Sequence, residues 1–365
     1  MIKVILSANS CWYLYNYKSS LIKILLKKYE VHCLAPKDKY TKYLKKMGAK
    51  HHQIKLHNTS TNPFKEFLSI INLFYCIKKT KPNVLLNFTI KNNIYGTICA
   101  KYLDIPFANN TAGLGNSFVN SNLIFLCIRF IYGHFLKKSD FVFTQNRDDY
   151  KYLVQNLKIS KKKICLVPGS GINTKINIYQ KKKNLFFTLL YLGRFIENKG
   201  ILDLFEAFQN IYKNVKTIKL VLAGYKKNDK SQIPYALIRK FKKHEAISVV
   251  NFSDKNIKLI KNCSCVILPS YREGMPRSLL EAGLLKKISI AANVPGCRDI
   301  IKNGYNGYLF QKGNVSDLEK KIMKVYNLKK FQLNKIQNNA RLRVISHFDE
   351  QVVIQKTLNF IKKSI

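Results

Sequence analysis

The segment 269–281 has the sequence Pro-Ser-Tyr-Arg-Glu-Gly-Met-Pro-Arg-Ser-Leu-Leu-Glu, and its residue types suit the binding of a charged ligand. The apolar run 265–268 before it predicts a buried strand, Gly274 predicts a break in the chain, and Pro276 is typical of the first turn of a helix. The first amides of a helix lack intrahelical acceptors and carry the positive end of the helix dipole, so an anion is favoured there. Because Pro276 has no amide hydrogen, the expected donors are the amides of Arg277, Ser278 and Leu279.

Two carboxylates lie on either side of this predicted helix start. Glu273 precedes it and Glu281 follows eight residues later. A rise of about 1.5 Å per residue places them at most about 12 Å apart, with the amides between them. A nucleotide sugar has a matching shape, since its diphosphate lies between two groups that carry hydroxyls. An isolated pair of glutamates at this spacing is more often a solvated loop residue and a surface helix residue, but the surrounding Pro and Gly residues favour the ligand site here.

A second charged pair follows another predicted strand. Arg194 comes directly after Gly193 at the end of strand 187–192, and Lys199 precedes Gly200 and a new helix. The two side chains can therefore converge from the two sides of one turn, where a forked guanidinium and a compact ammonium suit a diphosphate. In a chain this rich in Lys, a solvated Lys199 is an open alternative.

Three short stretches in the first half of the chain could contribute a second binding site. Ser10 to Trp12 follow the first predicted strand, at the position where a parallel sheet meets its ligand, and they include the only Trp of the chain. The stretches 111–115 and 168–173 contain glycines and each follows a predicted strand, so their backbones could approach phosphate or sugar. A simple tight turn is the alternative for both. The residues concerned are Gly113, Gly115, Gly169 and Ser170.

The elements that would position these residues form two alternating sets of strands and helices. Short apolar runs alternate with amphipathic helical patterns from residue 1 to about 175 and again from 187, which is typical of parallel sheets covered on both faces. Two such sheets facing each other predict a ligand cleft between them, at the carboxyl ends of their strands. The sequence lacks G-x-G-x-x-G, which argues against a nicotinamide or flavin dinucleotide. The predicted α/β organisation is an N-terminal Rossmann-like domain (1–173), a polar and basic linker (174–186), a C-terminal Rossmann-like domain (187–345) and a final helical segment (346–365).

The charge of the chain is strongly positive. Its 365 residues include 64 Lys and Arg against 20 Asp and Glu, a formal net charge of +44. This predicts attraction to an anionic surface such as nucleic acid, anionic lipid or a phosphorylated substrate. Lys, Asn and Ile are abundant throughout, so a compositional bias of the coding sequence is an equal alternative. The 47% of apolar residues exclude wholesale disorder.

Several features predict a cytoplasmic protein. The chain begins with a strand-like run rather than a signal peptide, and most of its nine cysteines lie in apolar segments, as buried reduced thiols do. No apolar stretch reaches the length of about 18 residues that a membrane span needs. Residues 123–136 are apolar nearly all round and have basic neighbours, so they form either a buried covering helix or an interfacial membrane contact. The histidines lack the spacing of a metal site, and no metal is expected.

Together these motifs resemble those of the family-4 glycosyltransferases, which have the GT-B architecture of two facing Rossmann-like domains. The resemblance rests on the segments 193–200, 269–282, 294–299 and 304–307. In the first half, 113–115 and 168–171 look like the branch that extends polyprenyl-diphosphate-linked glycans in bacteria. That branch makes O-antigens of lipopolysaccharide, capsules and protein N-glycans.

The resemblance implies retaining transfer of a hexose or N-acetylhexosamine from a nucleotide-diphosphate sugar, expected to be UDP-linked, without a metal or other cofactor. Arg194 and Lys199 would neutralise the diphosphate leaving group. Glu273 would hold hydroxyls of the donor sugar, and Glu281 those of the ribose. The other residues assigned to the donor site are Gly193, Gly274, Met275, Pro276, Arg277, Ser278 and Phe252.

The first domain departs from the family pattern at one position. Many relatives carry a His in the first-domain cleft, where this chain has Thr-Ile-Lys-Asn-Asn at 89–93. This stretch is predicted to be a loop, and Lys91 and Asn92 join Ser10, Trp12 and the glycine stretches in the expected acceptor site. The final helix would pack on the first domain.

The implied partners are a nucleotide-sugar donor, a lipid-linked glycan acceptor and the anionic inner face of the cell membrane, with no nucleic acid. One alternative is a GT-B glycosyltransferase with a soluble acceptor, such as a small metabolite or a free glycan. A nucleic-acid-binding protein is the other alternative, suggested by the charge, but the sequence has no recognition motif for it.

Overall fold

The chain forms two compact units. The computed structural model describes residues 1–365 except 57–61, 115–122, 176–185, 228, 230–231 and 254–255. The first unit comprises Met1–Gly171 together with Glu350–Ile365, and the second comprises Ile172–Asp349. The predicted linker 174–186 lies mostly outside the described residues.

A seven-stranded sheet forms the centre of the first unit. Its strands are β1 (Lys3–Ser7), β2 (Glu30–Ala35), β3 (Lys50–Gln53), β4 (Val84–Phe88), β5 (Phe107–Thr111), β6 (Phe141–Thr144) and β7 (Ile164–Leu166). They pair in the order β3-β2-β1-β4-β5-β6-β7, and every described pair is parallel. The sequence analysis does not identify β3, because its residues Lys-His-His-Gln have no apolar pattern and the strand forms only by pairing with β2 at the sheet edge.

Helices cover both faces of this sheet. Those that precede the second unit are α1 (Cys11–Leu25), α2 (Thr41–Lys46), α3 (Pro63–Thr80), α4 (Ile90–Tyr102), α5 (Leu123–Lys137) and α6 (Arg147–Gln155). Along β1, Val4 and Leu6 pack in one core with residues of α1, whereas Ile5 packs in another with residues of α3 and α4. This alternation is the period of two that a sheet buried on both faces requires.

Helix α5 contains the apolar stretch for which two roles are predicted. Tyr132 and Leu136 are buried, as in a covering helix, whereas Leu126, Phe130 and Ile131 are exposed. One side of the helix therefore packs on the unit and another faces solvent. Within the described ranges, none of the helices combines the length and the hydropathy that crossing a bilayer requires.

The second unit has a six-stranded sheet. Its strands are β8 (Phe187–Leu192), β9 (Ile218–Tyr225), β10 (Ile247–Asn251), β11 (Cys265–Leu268), β12 (Ile288–Ala292) and β13 (Tyr308–Phe310). They pair in the order β10-β9-β8-β11-β12-β13, and every described pair is parallel. Its helices are α7 (Ile201–Asn214), α8 (Tyr235–Lys243), α9 (Asn256–Asn262), α10 (Arg277–Leu284), α11 (Cys297–Ile300), α12 (Val315–Tyr326) and α13 (Lys330–His347). The prediction of two Rossmann-like parallel-sheet domains is confirmed.

The last helix, α14 (Glu350–Ser364), belongs to the first unit. Val353, Ile354, Phe360 and Ile361 lie in the same core as Val4 and Leu6. The ring of Phe360 stacks on that of Phe141 with centroids 5.4 Å apart. Residues from the end of the chain therefore complete a core that begins at β1.

The stretch 89–93 is not a loop, so that prediction is wrong. Thr89 has a φ of 77° and turns the chain directly after β4, and α4 begins at Ile90. The Thr89 hydroxyl donates to Oδ1 of Asn92 at 2.9 Å inside this first turn. Lys91 and Asn92 are therefore held by a helix.

Candidate functional site

Two strand ends lie side by side at the centre of the second sheet. β8 and β11 are neighbours, and the chain continues from β8 to β9 on one side and from β11 to β12 on the other. The carboxyl ends of β8 and β11 thus form a topological switch point, which is where open α/β sheets bind ligands. Gly193 and Arg194 follow β8, and the segment 269–276 follows β11, so both predicted groups of donor residues come to this point.

Close backbone contacts fix the turn that carries Lys199. The residue ends a short 3-10 turn, and Gly200 after it has a φ of 64°. A Cβ atom on Gly200 would lie 2.1 Å from the carbonyl oxygen of Pro269. The amide of Tyr271 donates to the carbonyl of Asn198 at 2.9 Å. The segments after β8 and β11 are thus held together, and glycine is required at 200.

Lys199 and Glu273 form an ion pair across these two segments. Lys199 Nζ lies 2.6 Å from Glu273 Oε1, and both side chains are mostly buried. Tyr191 lies close by: burial raises the pKa of its hydroxyl and the Glu273 carboxylate raises it further, while Arg194 lowers it in part. The Tyr191 hydroxyl donates to the Arg194 carbonyl at 2.6 Å. The base and the acid expected at the donor site are therefore in direct contact.

The guanidinium of Arg194 is the exposed charge of this group. Its side chain faces solvent, and it has no ion pair within the described part of the chain. Because Tyr191 holds the Arg194 backbone, the side chain leaves the end of β8 from a fixed position. It is available to an anionic ligand.

Helix α10 begins at Arg277, with Pro276 as its N-cap, and no side chain caps it. The amide of Leu279 donates to the carbonyl of Pro276 at 3.1 Å. One of the three predicted amide donors is therefore engaged inside the first turn. Ser278, which is partly buried, remains at the helix start with its amide pointing to the N-terminal side.

The second predicted carboxylate also has a basic partner. Arg277 Nε donates to Glu281 Oε1 at 2.9 Å, one turn along α10. Burial raises the pKa of Glu281, and the charge and hydrogen bond of Arg277 lower it in part. Glu281 is thus buried, Glu273 is mostly buried, and each is paired with a base.

Glycine and Met275 shape the loops around these pairs. A Cβ atom on Gly224 would lie 2.0 Å from the Gly193 carbonyl, and one on Gly296 would lie 2.2 Å from the Gly274 carbonyl. Met275 packs against the core of the second unit. The loops that follow β8 and β11 are therefore each held by a neighbouring segment of backbone.

Phe252 lies directly after β10, two strands from β8 in the sheet order. The predicted donor residues therefore do not all come to one point. The Phe252 residue is 38% exposed, and the ammonium of Lys226 lies 4.4 Å from the centroid of its ring.

A cavity of about 510 Å³ is found at the ends of β9 and β10, lined by Tyr225, Lys227, Tyr235, Lys242 and Asn251.

The first unit has a cavity of about 280 Å³ at the carboxyl edge of its own sheet. β1 and β4 form the switch point there, since the chain continues from β1 to β2 and from β4 to β5. Lys91 lines the cavity, and its ammonium lies 2.7 Å from Glu66 Oε1 of α3. Tyr95 donates to the other oxygen of Glu66. The lining residues are Asn9, Thr89, Ile90, Lys91, Ala112, Gly113 and Tyr132. Two predicted acceptor residues, Lys91 and Gly113, thus share one cavity.

Two other predicted acceptor residues are engaged in the fold. Ser10 is the N-cap of α1, and its hydroxyl accepts from the Tyr13 amide at 3.2 Å. Asn92 is fully buried and donates to Ser7 Oγ at 2.7 Å. The Ser10 side chain therefore stabilises the start of α1, and the Asn92 side chain joins α4 to the end of β1.

The rest of the predicted acceptor set is dispersed. The Trp12 amide donates to Asp38 at 2.8 Å, and its ring contacts Tyr17 edge-on. Gly169, with a φ of 62°, and Ser170 form a turn after β7. Gly115 lies outside the described residues.

Sequence analysis missed Glu66 and Tyr132, which come from helices and not from strand ends. A signal was present for Glu66: acidic residues are scarce, with 20 against 64 bases, and a lone acid in an apolar helix needs a buried partner. Among the described residues, no group of three or more His, Cys, Asp or Glu side chains could hold a metal ion.

Two family models match the chain. Residues 3–146 match the model described as glycosyl transferase 4-like, and residues 172–343 match the model of glycosyl transferases group 1. An N,N'-diacetylbacillosaminyl-diphospho-undecaprenol alpha-1,3-N-acetylgalactosaminyltransferase of Campylobacter jejuni is 28% identical, with 96% of both chains covered. A UDP-Gal:alpha-D-GlcNAc-diphosphoundecaprenol alpha-1,3-galactosyltransferase of Escherichia coli is 23% identical, with 78% of this chain and 76% of the relative covered.

Solved structures agree with the fold. The Anabaena protein HepE in complex with UDP-glucose has a TM-score of 0.80 over 100% of both chains, at 14% identity. A glycosyltransferase from Rickettsia africae has a TM-score of 0.78, covering 100% of this chain and 98% of the other, at 20% identity. The predicted GT-B fold is confirmed.

Proposed function

Since the chain belongs to the glycosyltransferases that join a glycosyl transferase 4-like domain to a group 1 domain, we propose that it moves a sugar from a nucleotide-diphosphate sugar to a polyprenyl-diphosphate-linked glycan. The sugar is a hexose or an N-acetylhexosamine, and the donor is UDP-linked. The reaction retains the anomeric configuration and needs no metal. It serves bacterial surface polysaccharide or glycan assembly, such as O-antigen or capsule.

The observation that carries this proposal is the Lys199–Glu273 pair at the switch point of the second sheet. An ammonium and a carboxylate held 2.6 Å apart match a ligand whose diphosphate needs a cation and whose sugar needs hydroxyl acceptors. Both residues stand on turns fixed by backbone contacts, so the charges are oriented before the ligand arrives. Such preorganisation is the main source of electrostatic catalysis.

The reaction breaks the bond between the sugar anomeric carbon and the diphosphate oxygen and forms a bond to the acceptor oxygen, whose proton passes to a phosphate oxygen of the departing diphosphate. Negative charge then develops on the departing diphosphate, where Lys199 and the exposed Arg194 neutralise it. Two cationic side chains thereby supply the charge that a metal supplies in other enzymes. The Glu273 carboxylate accepts hydrogen bonds from hydroxyls of the donor sugar. The Glu281 carboxylate accepts hydrogen bonds from the ribose hydroxyls.

Two comparisons support the substrate classes. The E. coli relative is named for a UDP-linked donor, and HepE was solved with UDP-glucose. Both the C. jejuni and the E. coli relatives are named for undecaprenol-diphosphate-linked acceptors. We assign the cavity beside Lys91 to the acceptor, because Asn9 and Thr89 in its lining suit sugar hydroxyls and its lysine suits an anionic group.

The exposed residues of α3 support a location of the protein at a membrane surface. Phe64, Phe67, Leu68 and Tyr75 are 68%, 58%, 48% and 64% exposed on this one helix. Exposed lysines at 65, 78 and 79 accompany them. We define these seven residues as the α3 surface. Aromatic residues with lysines on a helix suit an anionic lipid interface, so we place the protein on the inner face of the cell membrane.

The same helix links this surface to the acceptor cavity, since Glu66 on α3 holds Lys91. A lipid-linked acceptor would then lie near the lipid to which it is attached. A soluble acceptor is the second candidate function, and it does not account for the exposed aromatic residues of the α3 surface.

The test is a panel of nucleotide sugars assayed by released nucleotide, with polyprenyl-diphosphate-linked and free glycans as acceptors. We expect turnover with a UDP-sugar and a lipid-linked acceptor, unchanged by a metal chelator, and nuclear magnetic resonance of the product should show a retained configuration. Glu273→Ala should abolish the turnover. Transfer only to free glycans would replace the lipid-linked proposal with the soluble one, and full turnover by Glu273→Ala would overturn its assigned role.

A further inference from the structure

Arg277 occupies a position that helix stability does not explain. It is the first residue of α10, where the positive end of the helix dipole disfavours a base. Its partner Glu281 lies four residues later, and an acid preceding a base is the more stabilising order for a helical ion pair. The first turn of α10 contains no acid. Departures from local preference of this kind concentrate at functional sites.

The environment of Glu281 explains what the arginine does. The residue is 8% exposed, and a buried carboxylate tends to take up a proton. A protonated carboxyl group uses one oxygen as a donor and has lost its charge, so it accepts hydrogen bonds from hydroxyls more weakly than the carboxylate does. Arg277 Nε donates to Oε1 at 2.9 Å, and its charge opposes the effect of burial.

We propose that Arg277 is a positioning residue of the donor site, which keeps the Glu281 carboxylate ionised and turned so that it accepts the ribose hydroxyls of the nucleotide. The inference rests on the proposed function, because it takes Glu281 as the ribose ligand. It assigns to the Arg277 side chain a task separate from that of the amide at the helix start.

Several charged side chains beside α10 donate to backbone carbonyls and not to Glu281. Arg341 of α13 donates to the Leu284 carbonyl at 2.6 Å, and Arg343 donates to the Ile300 and Asp299 carbonyls. Lys287, before β12, donates to the Cys263 carbonyl at 2.8 Å. The other charged or titratable side chains on these elements are Lys258 and Lys261 of α9, Lys330, Lys335 and His347 of α13, Lys286 after α10, and Arg298 and Asp299 of α11. Arg277 is the charge that acts on Glu281 through both a hydrogen bond and its field.

A double-mutant cycle tests the inference. UDP binding is measured by calorimetry for the wild type, Arg277→Gln, Glu281→Gln and the double variant. We expect each single change to weaken binding about 10- to 100-fold, the range for hydrogen bonds to charged groups. In the Glu281→Gln background the additional effect of Arg277→Gln should fall to about twofold or less, since coupled residues are not additive. Arg277→Lys should restore part of the affinity.

Two further measurements separate positioning from direct contact with phosphate. The loss caused by Arg277→Gln should disappear when UDP is replaced by its 2',3'-dideoxy analogue, which has no ribose hydroxyls. The loss should also grow as the pH falls, because the carboxylate without its arginine is protonated at a higher pH. Arg239→Gln, an exposed base on α8, is the matched control and should bind like the wild type at every pH.

Failure of this inference can be distinguished from failure of the proposed function. An equal penalty for Arg277→Gln in both backgrounds, or with the dideoxy analogue, would overturn the inference and assign the guanidinium to the diphosphate. Unchanged UDP binding by Glu281→Gln would also overturn it, while the proposed function would stand on the Lys199–Glu273 pair. A wild type that binds no nucleoside diphosphate would overturn both.

Discussion

Lys199 Nζ and Glu273 Oε1 lie 2.6 Å apart although 74 positions separate the two residues in sequence. The contact joins the turn after β8 to the loop after β11, the two strands at which the sheet order reverses. A parallel sheet thus brings a cation and an anion from distant segments to one point, where each neutralises the other.

Removing either partner of this pair should reduce turnover strongly. We expect Lys199→Met and Glu273→Gln each to lower kcat about 100- to 1000-fold, as loss of one preorganised charge does. The measurement is release of nucleoside diphosphate from the donor. The Lys101–Asp140 pair, 2.7 Å apart and more exposed, supplies the control: Lys101→Met should retain wild-type turnover. Equal turnover in Lys199→Met and Lys101→Met would contradict the assignment.

Gly200 and Gly304 form a matched pair for testing the backbone contact at the site. Their φ angles are 64° and 76°, so alanine should cost about 1 kcal/mol at either position from backbone strain alone. At 200 the new Cβ would also meet the Pro269 carbonyl at 2.1 Å, whereas nothing lies within 4 Å at 304. Gly200→Ala should therefore lower both thermal stability and kcat, and Gly304→Ala should lower stability slightly with normal kcat. The same kcat for both would show that the close contact does not position Lys199.

Membrane binding should depend on the α3 surface. Phe64→Ser combined with Phe67→Ser should weaken sedimentation with vesicles that contain phosphatidylglycerol by about tenfold or more, because two exposed aromatic anchors are lost. Raising the salt concentration should weaken binding of the wild type as well. The control is Phe331→Ser in the second unit, where the ring is 77% exposed. A double variant that binds vesicles like the wild type would place the lipid contact elsewhere.

Lys18 should destabilise the first unit at neutral pH. The residue is 4% exposed on α1, and its ammonium lies 4.7 Å from the centroid of the Phe88 ring. No hydrogen bond or ion pair to it is found among the described residues. Burial lowers its pKa from 10.5 to about 8, a difference that corresponds to about 3 kcal/mol.

The effect of Lys18 on stability should depend on pH in a direction that can be measured. Between about pH 8 and pH 10.5 the unfolded chain holds a proton on Lys18 that the folded chain lacks, so the free energy of unfolding should rise with pH in that window. Lys18→Met should raise the free energy of unfolding by about 2 kcal/mol at pH 7. In this variant the free energy of unfolding should no longer increase with pH above pH 8. Lys23→Met, on an exposed position of the same helix, should do neither. A Lys18→Met variant no more stable than the wild type would show that the ammonium reaches water in the folded protein.

Local sequence patterns were sufficient to predict two parallel sheets, without the edge strand β3, and the switch-point loops. Gly200 and Pro276 mark chain turns by their backbone chemistry alone, and apolar runs mark the strands that precede them. The pairing of Lys199 with Glu273 could not be predicted in the same way, because it depends on strand order and not on local pattern. The helix start at Ile90 was missed for a related reason: Thr89 adopts a positive φ that its residue type does not favour.

Side-chain roles were less predictable in the first unit. Ser10 and Asn92 are polar residues at strand ends, as ligand-binding residues are, and the sequence does not distinguish these from residues that cap or crosslink the fold. Glu66 reaches the cavity from a helix, so a search of strand ends could not find it. The scarcity of acids was the only local signal, and it does not specify the partner.

The membership of α14 in the first unit determines the order in which the protein can be completed during synthesis. Residues 350–361 contribute to the same core as β1, yet they leave the ribosome after the whole of the second unit. N-terminal domains generally fold first during translation. Here the N-terminal core must stay open along one side while the C-terminal domain is made, and a released chain that ends at residue 349 would contain every residue of the second unit but lack part of the first core.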